Sequence, residues 1–328
     1  MSCLYFHAQI HLIIGHRLGR IYSMPFGTLV YRGAIFCGAK NSKSADSVSG
    51  FALGTSLAGG AIFCYNSVDM VYLDYAATVP LLPEVMKAMH EAERKFFANA
   101  SALHTPGHLA MNEVERARLM LADLIGAEPE EIIFTSGASE SNNTVVRTFE
   151  GCEIETSPLE HHSVIETAKR YAGNRLPKLY SYMLANNETG EILQLPDIDR
   201  SEFDDSPLFD EKTEWGKPLV TDRRKSYLHS DLTQVLGKIP IDVKKMGLDY
   251  ATFSAHKIGG PIGVGALYVR KGVPFRPLIT GGNQENKRRG GTYNTVGIVG
   301  FGAAIEKIKH EKTWEKYNTG VRILRDTL

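Results

Sequence analysis

The run Tyr250–Phe253, which ends in Ser254, His256 and Lys257 and then breaks into Gly259, Gly260 and Pro261, constrains this chain more than any other stretch. Aromatic and β-branched residues bounded by glycine and proline read as a buried strand. The glycines after it let backbone approach a ligand closely. A lysine there has two readings: an ordinary solvated cation, or an amine desolvated enough to lose its proton and condense with a carbonyl as a Schiff base. Ser254 and His256 add a hydroxyl and an imidazole able to hold a phosphate. Together these groups point to pyridoxal phosphate, with Lys257 as the catalytic centre.

The rest of the organised sequence alternates helical and strand-like patterns. From Val71, VYLDYAATVPLLPEVMKAM predicts a short strand-like opening, a turn and a helix with Leu82, Val85, Met86 and Met89 on one face. A loop over Ala98–His108 precedes a second helix, with Val114, Ala117, Leu121, Leu124 and Ile125 at helical spacing and Gly126 as its stop. Glu131–Thr135 reads as a strand, and SGASESNN after it falls where a helix should begin. Free N–H groups and the positive dipole end there suit either a phosphate over Gly137, Ala138 and Ser139 or a plain capped loop. EHHSV puts two histidines at another helix start. Asn186 and Asn187 end a short apolar run at a turn. Tyr227–Val243 brings Asp231 and Gln234 after an apolar run; an acid at a strand's carboxyl end lies where open α/β sheets bind ligands, or it caps a helix. Gly281–Thr295 is a basic, glycine-rich loop whose Arg288, Arg289 and Thr292 either meet an anion or are solvated, and Val296–Leu328 reads as helical.

Composition excludes some classes of partner. Lys plus Arg and Asp plus Glu number 37 each, so no net field draws the protein to nucleic acid or an anionic membrane. No apolar run reaches the ~18 residues that suggest a membrane span. Cys3, Cys37, Cys64 and Cys152 show no metal-ligand spacing, so no metal is expected and a reducing compartment is the simplest reading. Residues 1–69 lack helical or strand period, and 198–215 is acidic and turn-rich, as in an exposed insertion. The first 45 residues carry five basic side chains and no acid, which leaves a poorly ordered or mis-assigned upstream extension of a cytoplasmic protein open beside a mitochondrial leader.

Taken in order, YLDYAAT, Asn99 with His104 and Gly107, FTSGASESNN, EHHSV, LANNETG, HSDLTQVLGK, SAHKIGGPIGVGALYV and RRGGT resemble the NifS-like cysteine desulfurase and selenocysteine lyase family of class V aminotransferases. The resemblance implies a fold type I, pyridoxal phosphate-dependent α/β large domain over 70–295, with a mostly parallel sheet and the cofactor at its carboxyl edge. It also implies a homodimer with L-cysteine as substrate and a sulfur-accepting scaffold protein as partner, in iron–sulfur or thio-cofactor assembly. Lys257 matches the Schiff-base lysine, Asp231 the acid at the pyridine nitrogen, and His161 the imidazole stacked on the ring. Gln234 matches the amide at the phenolic oxygen and Asn187 a further polar contact. Ser139, Ser254 and His256 match phosphate ligands, with Ser139 replacing the usual threonine, and Thr292 matches a phosphate ligand reaching the other subunit.

Three features depart from that pattern. The family's sulfur-accepting cysteine and carboxylate-binding arginine belong to a small C-terminal domain expected to be largely missing, with 296–328 leading toward it. The stretch from His161 to Asn187 is shorter than the family's, with exposed apolar surface and a displaced His161 as the expected consequence. The stretch from Asn187 to Asp231 is longer. The alternatives to a desulfurase are a catalytically incomplete cofactor-binding fragment or dimerising scaffold, or another class V aminotransferase or selenocysteine lyase.

Overall fold

The computed structural model describes residues 72, 74–202, 224–311 and 323. The expected extension over 1–69, most of the acidic insertion and the helical stretch beyond 311 lie outside the described residues.

Two helices come first, α1 (Pro83–Lys95) and α2 (Thr105–Ile125). Proline at the start of α1 fits the first turn, where its missing N–H loses no helical bond. The face expected for α1 is partly right: Val85 is buried, Met89 packs against the core, but Met86 is exposed and Leu82 is the cap residue before the helix. No strand precedes it among the described residues; Asp74–Ala77 form a turn. The expected loop over Ala98–His108 gives way to helix at Thr105, because the His104 ring accepts from the Gly107 N–H and caps α2. From there Val114, Ala117, Leu121 and Ile125 are buried, and the helix stops at Gly126 as its spacing predicts.

The remaining elements are β1 (Ile132–Thr135), α3 (Ala138–Thr148), β2 (Cys152–Thr156), α4 (His162–Tyr171), β3 (Arg175–Ser181), β4 (Ser226–Asp231), β5 (Tyr250–Ser254), β6 (Gly265–Val269) and α5 (Thr295–Glu311). The described strands form one six-stranded sheet in the order β1-β6-β5-β4-β3-β2. Pairs β2–β3, β3–β4 and β4–β5 are parallel, while β6 runs antiparallel to both β5 and β1. The sheet is thus mostly parallel at one side and antiparallel at the other.

Both faces are covered, and strand alternation decides what each receives. Ile132, Phe134, Leu228, Ala251, Phe253, Ala266 and Tyr268 face a core shared with α2 and α5; their neighbours Ile133, Tyr227, Tyr250 and Leu267 face a second cluster with Val145 of α3 and Phe149 just after it. Helix α5 belongs to the first core through Ile298, Phe301, Ile305 and Ile308.

The free edge of β1 is sealed by charge. Arg118, from α2, donates to the Ile132 carbonyl at 2.8 Å and to both oxygens of Glu285 at 2.7 and 2.8 Å, and Glu285 accepts from the Phe134 N–H at 3.1 Å. The backbone groups an edge strand would leave open are satisfied by two side chains. Glu285 and its neighbours Asn286 and Lys287 sit at φ of 48, 55 and 65°, a strained left-handed run held by this pair. Removing one partner of so buried a pair costs about 3–5 kcal/mol, which exceeds the strain of any one of these residues.

Close backbone packing places the turn after β1. A Cβ on Gly265 would lie 2.6 Å from Gly137 Cα and 2.6 Å from the Phe253 carbonyl oxygen, both main chain. Gly265→Ala is therefore expected to destabilise the protein by about 1–3 kcal/mol through overpacking, read as a lower urea midpoint at unchanged slope. An unchanged midpoint would show that β6 can move aside.

Candidate active site

A cavity of about 400 Å³ opens where β1, β4 and β5 end, and it gathers residues far apart in sequence. Ser139, His161, Asn187, Asp231, Gln234, Ser254, His256 and Lys257 all line it. Thr292 does not; it is exposed on its loop. His161 reaches the same cavity as Asp231 and Lys257, so the short stretch before Asn187 has not displaced it. Leu176 is the one large exposed apolar side chain described in that stretch.

Lys257 follows β5 in a single helical turn, Ala255–Ile258. Its Nζ donates to the carbonyls of Ala76 and Ala77, each at 2.7 Å. Burial depresses the ammonium's pKa, although the charges of Asp74 and Asp231 pull the other way. Neighbouring His256 is pushed down to about 4, first by burial and then by Lys257, so the ring is neutral near pH 7. Its Nδ1 lies 3.1 Å from Thr78 Oγ1. The single Thr78 hydroxyl proton goes to the Ala77 carbonyl at 2.7 Å, which leaves Oγ1 as an acceptor toward the His256 ring.

Asp231 ends β4 and is buried. One carboxylate oxygen accepts from the Thr233 N–H at 3.0 Å and the other from Asn142 Nδ2 at 2.8 Å. The first bond is the cap-like turn that sequence left open, and it coexists with a ligand-facing position. Asn142 Nδ2 also donates to Ser163 Oγ at 2.9 Å, and Ser163 Oγ lies 2.7 Å from His161 Nδ1. Because His161 Nδ1 accepts from the Ser163 N–H, the neutral ring carries its proton on Nε2. Gln234 is held by its amide group, which donates to the Ala76 carbonyl at 2.9 Å. Asn186 and Asn187 divide their labour: Asn186 accepts from the Glu188 and Thr189 N–H groups and shapes the turn, while Asn187 lines the cavity.

One end of the cavity lies at the start of α3. Gly137 caps the helix at φ 152°, open to glycine alone, and a side chain there would meet nothing within 4 Å. Free space thus stands over the first N–H groups of α3, beside Ser139, Ser254 and His256. Thr233 lines the same cavity, and its Oγ1 is buried without a hydrogen-bond partner among the described residues. The donor set, open cradle and neutral-prone amine fit pyridoxal phosphate.

Residues that sequence reasoning passed over complete the site. Asn142 sat inside the quoted SGASESNN, yet its tie to Asp231 spans 89 positions and had no local sign. Glu160 bolts the turn before His161 to the end of β3, accepting from Ser157 Oγ at 2.8 Å and from the Met183 N–H. Burial pushes its pKa up to about 8, with Asp231 adding to the rise and the two hydrogen bonds opposing it. Glu140, in the first turn of α3, pairs with Arg289 of the basic loop, the arginine that the sequence left between an anion and solvent.

The chain's likeness to known proteins agrees with this geometry. The class-V aminotransferase family profile matches residues 71–196 and 218–326. The cysteine desulfurase IscS of Dictyoglomus turgidum is 38% identical over 267 residues, covering 72% of this chain and 63% of its own. A cysteine desulfurase of Sinorhizobium fredii is 36% identical, covering 79% and 70%. The chain thus spans about two thirds of the length of these relatives. Among solved structures, a NifS-like protein superposes with a TM-score of 0.60 at 35% identity, covering 74% of this chain and 70% of that one. One described as SspA in complex with cysteine gives 0.58 at 32%, covering 72% of each. With the lysine, aspartate and histidine of the expected motifs brought to one cavity on a mostly parallel sheet, the chain belongs to the class-V aminotransferases, in their NifS-like cysteine desulfurase branch.

Proposed function

We propose that this chain binds pyridoxal phosphate at Lys257 and acts on L-cysteine, passing its sulfur to a thiol. The observation that carries the reading is the meeting of Lys257, Asp231, His161 and Gln234 in one cavity with the open N-terminus of α3. The cysteine named in the complex of the SspA relative supports the choice of substrate. The overall change balances without outside oxidant or reductant: cysteine plus a thiol gives alanine plus a persulfide.

When bound, the cofactor supplies an electron-accepting ring that stabilises negative charge at the substrate Cα. Asp231, fixed by Asn142 and Thr233, would hold the pyridine nitrogen in its protonated form. Ser139, Ser254 and His256, with the α3 N–H groups, would hold the phosphate, and Gln234 and Asn187 the ring's polar edge. Lys257, its charge disfavoured by burial, would hold the cofactor through Nζ and would be the group on this cavity that takes up a proton there. His161 presents Nε2–H as a proton donor on the same cavity.

The sulfur acceptor is a thiol other than Cys152, which is buried in β2 and does not line the cavity. We further propose a homodimer, in which the exposed Thr292 reaches the partner's cofactor, and a sulfur-accepting protein as the recipient.

The full-length protein should gain a visible absorbance band on addition of pyridoxal phosphate, and Lys257→Ala should abolish it. A colourless wild-type mixture sinks the cofactor reading; a coloured protein that yields no alanine from cysteine and dithiothreitol limits it to cofactor binding. The rate of cofactor attachment should rise with pH as Lys257 deprotonates and level off below the ~10.4 of a free lysine. A second pH effect belongs to Glu160. Its folded form stays protonated up to about pH 8 while the unfolded chain ionises near 4.5, so stability falls as pH rises between the two. Glu160→Gln should flatten the melting temperature over that window. An unaltered slope would show that Glu160 is not the group responsible.

A further inference from the structure

The phosphate end of the cavity contains a negative charge of its own. Glu140 lines it from the first turn of α3, and its Oε2 accepts from the Ser136 N–H at 2.8 Å. An acid in a helix's first turn is favourable for the helix, but beside a bound phosphate it adds like-charge repulsion. Arg289 answers it in a two-point pair, Nε to Oε1 at 2.9 Å and Nη2 to Oε2 at 3.1 Å. The Glu140 side chain is 7% exposed and that of Arg289 24%, so solvent screens the pair little.

Arg289 does not come from the cradle. It belongs to the glycine-rich loop whose other anchor, Glu285, is locked to Arg118 and to the Phe134 N–H of β1. Both fastenings of this loop therefore land on the segment from β1 to the start of α3. We propose that Arg289 is a positioning and charge-balancing residue for the cofactor phosphate: it neutralises Glu140, so that the α3 N-terminus can accept a phosphate dianion. The proposal rests on the reading of the cavity as a pyridoxal phosphate site.

Removal of the guanidinium leaves an unpaired carboxylate at the cradle. Burial opposes that charge, yet the bonds from Arg289 and Ser136 hold Glu140 below the usual carboxylate range. The penalty falls on the phosphate and not on the pyridine ring, which the rest of the cavity holds.

The test compares pyridoxal phosphate with pyridoxal by absorbance titration of full-length protein. Arg289→Ala should weaken pyridoxal phosphate by roughly tenfold, the effect of one added like charge at a partly screened site, and leave pyridoxal unchanged. Arg289→Lys, which keeps the charge, should retain most of the affinity, and Arg289→Ala with Glu140→Gln should recover it by removing the charge that Arg289 answers. Inorganic phosphate should raise the melting temperature of wild type more than that of Arg289→Ala. Equal losses for both ligands, no loss for either, or no recovery in the double variant would overturn the proposal. A wild-type protein that binds neither ligand overturns the cofactor reading itself; the phosphate shift then decides whether the Arg289 assignment stands without it.

Discussion

A single buried carboxylate organises the site. Asp231 ends the central strand β4 and accepts one bond from its own backbone turn and one from Asn142 of α3. Asn142 passes the connection to Ser163 and thence to His161 at the head of α4. Two helices on one face of the sheet are thereby registered against the end of one strand. Burying a carboxylate is costly unless hydrogen bonds compensate for lost hydration, and here donors come from two elements. Loss of Asn142 would leave the acid underbonded and His161 without its relay of contacts.

Much of the fold was legible because its signals are local. The α2 stripe, the apolar β5 run and the Gly137 turn each fall within a dozen residues, and strand alternation assigned their faces. Met86 misled because a helical stripe predicts a direction and not a neighbour: Met89 packs against α5 at Gly300 and Val85 is buried in the core, but Met86 is left outside. His104 looked like loop and proved to be a cap, a bond from ring to backbone three residues on that a loop-rich composition hides. The antiparallel place of β6 between β5 and β1 had no sign in the sequence, since pairing depends on where a connection returns.

Of the site, the motif residues were legible through their order along the chain. What lay beyond reach were contacts whose partners are distant: Asn142 with Asp231, Glu160 with the Met183 N–H, Arg289 with Glu140. Each of these residues is polar, and their letters alone are equally good on a surface. The basic loop illustrates this. Two adjacent arginines suggested an anion or solvent, but one of them answers a carboxylate while Arg288 lies beside Glu285, its charge disfavoured by burial.

The bonds from Lys257 to the Ala76 and Ala77 carbonyls have a consequence for biosynthesis. The turn they hold is also stitched to the lysine's segment by Val79 N–H to the His256 carbonyl and Leu82 N–H to the Gly259 carbonyl. The partners lie 180 and 181 positions apart. On a ribosome adding about 5–20 residues per second, the turn waits many seconds for its lysine. Over that interval Lys257 is not yet part of the chain, and most of the residues that wall its cavity, from Ser136 to His256, are made before it.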